Sequence, residues 1–245
     1  TDPVRTMGFI TGKDPGISQQ FFFAACFDPA RSRVPVWEDL PPYGWRYFIA
    51  LDHGSRAASA VYLVARATER AVGGDGTVYP AGSIVLLDET HSGDPSNLDA
   101  AIGRDFTVAE FCPYIRSMCE RWQIPPKGVA DDAIFSRTGH ELTIADEYAE
   151  HGVYLRPARK GRLADSCARM RTLLAQAERP GNRTAPGLYH TPLCRAYETT
   201  LPTIKSNRSN PDEPDKKSAA MHFSDAARYA CTARHPQAFS TEWVA

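Results

Sequence analysis

The first clear alternation in the chain is Trp45 to Leu51, an aromatic and β-branched run that stops at Asp52-His53-Gly54 and predicts a strand. A second strand is expected over Ala58 to Ala67 and a third over Ser83 to Leu87, with turn chemistry from Gly73 to Gly82 between them. Three strands on short connections predict an antiparallel meander. The period then changes. Val108, Phe111, Cys112, Ile115, Met118, Cys119 and Trp122 recur at helical spacing behind a Thr107/Glu110 capping box, and Pro113 marks a kink or a later start. After Pro125-Pro126 the pattern predicts a strand over Gly128 to Ala130 and a helix over Thr143 to Glu150 stopped by Gly152. A strand at Val153 to Leu155 follows, then a helix with Leu163, Cys167, Met170 and Leu174 on one face. A short strand near Gly187 to His190, a helix near Leu193 to Thr199 and a last helix from Ser218 to Arg234 complete the pattern. The polar stretch Ser206 to Lys217 reads as a mobile loop.

A meander, then helix and strand alternation, then a closing helix predict an α/β fold: a mixed sheet with helices on both faces. Residues 1–44 show little periodicity and read as a linker from a longer chain, 45–235 as one domain and 236–245 as a tail. The hydrophobic content of 42% is enough for a buried core, while no apolar run reaches the roughly 18 to 20 residues that span a bilayer. A net charge of -1 makes no general case for nucleic-acid binding, so any such contact must come from a local patch. The six cysteines lack CxxC spacing and read as idle, buried thiols. Gly8 to Asp14 (GFITGKD) looks superficially like a phosphate-binding loop, but is one residue short between its glycines and has no Ser or Thr after Lys13.

Two carboxylates draw attention. Asp52 ends the first strand, and Asp131 follows an apolar strand that a parallel arrangement places beside it. Acids converging at the edge of a core need a counter-charge, which a divalent cation supplies. On the last helix His222, Asp225, Ala226 and Tyr229 share a face, which brings Asp225 towards the strand ends. Oxygen ligands suit Mg²⁺ or Mn²⁺, and two such ions can clamp a phosphodiester. Taken singly, each aspartate reads equally well as a turn or helix cap.

The stretches Phe48 to Gly54, Gly128 to Phe135 and His222 to Ala230 resemble, in order and separation, the three acidic motifs of large-terminase nuclease domains from tailed bacteriophages. The resemblance spans Tyr43 to Arg234. It implies an RNase H-like fold and two-metal cleavage of concatemeric double-stranded DNA at the start and end of genome packaging. It also implies an ATPase domain in the same full-length chain, a small terminase subunit and a portal protein as partners, and work in the cytoplasm of the infected bacterial host. Asp52, Asp131 and Asp225 become the metal ligands, and His222 a metal-site or water-positioning residue. Asp132 competes with Asp131 for the ligand role. His53 and Glu89 are secondary candidates, His53 otherwise a solvent-facing turn residue and Glu89, like Asp88, a turn or helix cap. Arg156, Arg159, Lys160 and Arg162 form a cluster that can track phosphates, and Lys216 and Lys217, with Lys205 and Arg208, can close over DNA. Two other readings stay open. One is an actin-like ATP-binding domain, for which further glycine-rich phosphate loops are missing; the other is a non-catalytic module docking DNA or a portal, its acids structural.

Overall fold

The structure is a computed structural model and describes residues 20–54, 57–94, 97, 103–137, 142–158, 161–218 and 220–233. Its centre is a pair of eight-residue antiparallel strands, β1 (Trp45–Asp52) and β2 (Ala60–Ala67), in which nearly every position is buried because both faces of the sheet are covered. Phe48 and Ala50 belong to one apolar layer, Ile49 and Leu51 to the other. After a small hairpin, β3 (Ala71–Val72) with β4 (Val78–Tyr79), the chain returns as β5 (Ile84–His91) antiparallel to β2. Strands β6 (Lys127–Ala130) and β7 (Tyr154–Pro157) add in parallel beyond β1, and β8 (Leu188–His190) adds in parallel beyond β5. The sheet order is β7-β6-β1-β2-β5-β8, the expected meander followed by parallel strands.

One glycine fixes the junction that matters most. A Cβ on Gly128 would lie 1.8 Å from the carbonyl oxygen of Ile49, so only a residue without a side chain lets β6 close on β1 at that point.

After a single turn α1 (Pro29–Ser32), helices α2 (Val108–Arg121) and α3 (Ile144–Glu150) cover one face. Helices α4 (Leu163–Ala175), α5 (Arg195–Thr200) and α6 (Met221–Thr232) cover the other. Both predicted N-terminal signals hold: Thr107 and Glu110 form a reciprocal capping box, as do Thr143 and Asp146. Helix α2 accommodates Pro113 in its interior. In α6, Ala226, Ala227 and Ala230 are fully buried around Phe223; these small side chains allow the helix to lie close on the sheet beside Phe48 and Ala50. Each large side chain such as Phe223 buried in this layer contributes roughly 1.5–3 kcal/mol. All six cysteines are free and buried.

Three expectations change. The described part of the 1–44 segment is not a linker: Phe22, Phe23 and Phe27 are buried with α4 to α6, and Val34 and Trp37 join the opposite layer. Strand β5 runs through the polar sequence Asp88 to His91 rather than stopping at Leu87, because those side chains find partners beside the sheet. The stretch expected as turn carries the β3–β4 hairpin, with Tyr79 packed edge-on against Trp45. The loop of residues 8–14 and the 236–245 tail lie outside the described residues.

Candidate active site

The parallel register of β1 and β6 pairs Leu51 with Ala130, so the next residues, Asp52 and Asp131, leave the sheet side by side at one end. Asp52 is 5% exposed. Asp131 caps the 3₁₀ turn Asp132–Phe135, its Oδ1 accepting from the Ala133 amide at 2.7 Å. Asp132 is exposed. Helix α6 crosses this end of the sheet. Its residues His222, Asp225, Arg228 and Tyr229 line an open cavity of about 340 Å³ together with Asp131 and Lys216.

Each acid accepts from a side chain of α6. His222 Nδ1 bonds Asp52 Oδ2. Tyr229 donates its hydroxyl to Asp131 Oδ2 at 2.5 Å. Arg228 forks onto Asp225 Oδ1 through Nε at 3.0 Å and Nη2 at 2.9 Å, and its Nη1 donates to Ser166 Oγ at 2.9 Å. The electrostatics follow from this crowding. Burial pushes the Asp225 carboxyl up to about 6; Arg228 opposes the rise and the nearby Asp52 charge adds to it. His222 is raised above the ordinary imidazole value by its bond to Asp52 despite burial, with Asp225 and Asp131 adding to the effect. Tyr229 is driven far above the ordinary phenol value, first by burial and then by Asp52 and Asp225.

In this partnered arrangement no three His, Cys, Asp or Glu side chains among the described residues are set to hold a metal ion. The donor chemistry nevertheless fits a hard divalent cation, since three carboxylates and an imidazole come together and the raised Asp225 carboxyl registers excess negative charge. Such a cation must displace bonds from α6.

The remaining sequence candidates separate. His53 is half-buried rather than solvent-facing: its ring packs edge-on to Tyr148 and its Nδ1 lies 3.1 Å from the Tyr148 hydroxyl. Burial holds its pKa below the ordinary value, against the pull of Asp52 and Glu147. Glu89 stands apart from the acids and caps α5, accepting from the backbone amides of Ala196 and Tyr197. Asp88 is buried and binds Arg121 and the Trp122 indole, each at 2.8 Å. Arg156 and Arg162 are exposed, on β7 and at the start of α4, whereas Arg159 and Lys160 lie outside the described residues. Lys216 borders the acidic cavity, and Lys217 beside it is exposed. Sequence reasoning missed Arg228; its i, i+3 spacing from Asp225 was the available signal. The role of Tyr229 was also missed, although its place on the His222 face was visible.

No protein-family model matches the chain, and no curated protein does. Solved structures do. The P22 large terminase nuclease domain superposes with a TM-score of 0.58 at 12% identity, covering 86% of this chain and 91% of that one. The full-length large terminase of a thermophilic bacteriophage gives 0.56 at 15% identity over 86% of this chain. The chain spans 44% of that protein's length. The large terminase nuclease of the thermophilic phage G20c, solved with bound cobalt, gives 0.50 at 10% identity, covering 86% and 96% of the two chains. The likeness is one of fold, and it carries the conclusion that this chain has the architecture of the large-terminase nuclease domains, an RNase H-like mixed sheet with helices on both faces.

Proposed function

We propose that the chain is a metal-dependent endonuclease of the large-terminase type, cutting concatemeric double-stranded viral DNA when genome packaging starts and ends. The observation that carries this reading is the meeting of Asp52, Asp131 and Asp225, from β1, β6 and α6, at one end of the sheet. The cobalt-bound G20c nuclease supports a divalent-ion chemistry, which we assign to two ions of Mg²⁺ or Mn²⁺. When bound, the ions activate a water and stabilise the leaving oxygen.

The chain's own residues do the rest. Asp52, Asp131 and Asp225 hold the ions once their α6 partners let go. His222, freed from Asp52, orients the attacking water, while Arg228 and Lys216 offer positive charge to the phosphate at the cavity rim. Arg156, Arg159, Lys160 and Arg162 follow the backbone from the β7 side, with Lys217 beside Lys216. An ATPase domain of the same full-length chain, a small terminase subunit and a portal protein complete the machine, in the cytoplasm of the infected host. Among the described residues no helix is long and apolar enough to cross a membrane.

Supercoiled plasmid incubated with the protein and Mn²⁺ tests the proposal. Wild type is expected to nick and linearise it, and Asp52→Asn, Asp131→Asn and Asp225→Asn each to leave it intact while staying folded. The full set of α6 bonds to the acids also favours a second reading, a non-catalytic module docking DNA or a portal. Intact plasmid with wild type, together with retained DNA binding, selects that reading and rejects the nuclease.

A further inference from the structure

A second cavity opens at the same end of the sheet. The strand registers set Asp52 opposite Ala60 and Ala60 opposite His91, so the close of β5 stands two strand spacings, about 10 Å, from the first acid. Strand β8 stops opposite Leu86, which leaves the last residues of β5 uncovered on that side. The resulting space, about 410 Å³, is lined by Thr90, His91, Arg104, Tyr114, Arg195 and Glu89 among others.

Its chemistry is that of an anion site. Arg104 and Arg195 bring two exposed guanidinium groups, and neither is in an ion pair with a carboxylate among the described residues. Arg104 lies 4.4 Å over the Phe106 ring, and that ring stacks on Tyr114 at 5.5 Å and 17°. Its hydrogen bond is a long one, from Nη2 to the His91 carbonyl at 3.4 Å. A guanidinium held on an aromatic pair loses little freedom on taking a phosphate. Glu89, the one carboxylate lining the space, is committed to the α5 amides, and burial pushes its pKa up to about 8, so it sets little negative charge against an anion at neutral pH.

We propose that this cleft binds a backbone phosphate of the DNA strand whose scissile bond lies over Asp52, Asp131 and Asp225. The offset of about 10 Å corresponds to about three nucleotides along one strand. The identity of the strand rests on the nuclease reading; the anion chemistry does not.

The test is duplex DNA binding by fluorescence anisotropy in EDTA, across a chloride titration, for wild type, Arg104→Ala/Arg195→Ala and Arg70→Ala. Arg70 is exposed beyond β2 at the opposite end of the sheet and serves as the charge control. Losing one phosphate contact lowers the slope of log K against log salt by about 0.9 and weakens binding about eight-fold near 0.1 M salt. The double variant should show both changes, Arg70→Ala neither, and Arg195→Gln alone a part of the loss with an unchanged circular dichroism spectrum. Inorganic phosphate, at ionic strength matched with chloride, should compete with DNA for wild type more than for the double variant. An unchanged slope in the double variant overturns the proposal even if plasmid is cut, and so does an equal loss in Arg70→Ala. Phosphate protecting wild type against thermal unfolding while the DNA slope stays unchanged means a site for free phosphate only, which also overturns it. A lowered slope with no cleavage by wild type keeps the cleft and sinks the nuclease reading instead.

Discussion

Asp225→Asn should stabilise the metal-free protein above pH 6 and leave it unchanged near pH 4. Burial and the neighbouring Asp52 lift this carboxyl from 3.8 to about 6, with Arg228 holding the rise in check. A carboxyl raised on folding binds more protons in the native state than in the unfolded chain between those two values, so stability falls as pH rises through that window. The shift of about two units corresponds to at most about 3 kcal/mol. The side chain is 22% exposed, so solvent screens part of this. For a chain of this size the upper bound corresponds to a rise in Tm of roughly 6 to 12 °C. Asn keeps an acceptor for Arg228, whose Nη1 stays on Ser166, so the substitution removes charge without orphaning the guanidinium. His222, raised by its bond to Asp52, contributes stability that is present below its unfolded value and lost as pH rises through its folded one. That loss runs in the same direction, which is why the difference between wild type and variant is the quantity to follow. Urea denaturation at pH 4 and pH 8 without divalent ions measures it. Mn²⁺ should then narrow the gap at pH 8 by stabilising wild type alone. A variant less stable than wild type at pH 8, or a difference independent of pH, would refute the claim that uncompensated charge is held at this site.

Three further changes probe the arrangement from other sides. Tyr229→Phe removes the hydroxyl that donates to Asp131, and should cost about 1.5–3 kcal/mol in urea denaturation while sparing more plasmid cutting than Asp131→Asn does. Gly128→Ala forces a methyl group into the Ile49 carbonyl; it should destabilise the fold by about 3 kcal/mol and depress cutting by separating Asp52 from Asp131, and an alanine variant of wild-type stability would contradict the close β1–β6 approach. Burial lifts Glu89 from 4.5 to about 8, so wild type should lose thermal stability as pH rises between those values, and Glu89→Gln should melt at a temperature that changes much less over that range.

The parts of the fold legible in the sequence were those with a clean period. β1, β2 and α2 show their apolar positions at spacings of two or 3.6, and Thr107 with Glu110 announces where α2 begins. The Phe21-Phe22-Phe23 run has no period, since it fills a gap beside α4 to α6 rather than lining one face of a long element, so it passed for linker. The end of β5 was lost for the opposite reason. Asp88-Glu89-Thr90-His91 reads as a strand stop, yet Asp88 is satisfied by Arg121 and Trp122 and Glu89 by the α5 amides, all distant in sequence. In the site, strand pattern and helix spacing carried Asp52, Asp131 and Asp225 to one end of the sheet. What they could not carry was the identity of the partners. Tyr229 and Arg228 are ordinary residues of an amphipathic helix until the β6 turn and the start of α4 are placed against them.

Those partners follow from the charge balance. Three carboxylates at the edge of a buried sheet are costly without positive charge, and a site that awaits cations must also be stable before they arrive. Helix α6 meets that need with Arg228 on Asp225, an imidazole of raised pKa on Asp52 and a neutral hydroxyl on Asp131. With His222 protonated, two positive charges face three negative ones, so the cavity keeps a net attraction for a cation. It is strongest towards Asp131, whose α6 partner carries no charge. Metal entry on this account begins at Asp131, and the bonds to His222 and Arg228 yield as the charge they balance is taken over. Apparent Mn²⁺ affinity, read by calorimetry on catalytically inactive Asp52→Asn protein, should therefore fall more for Asp131→Asn than for His222→Ala added to the same background, and the reverse order would place the first ligand elsewhere.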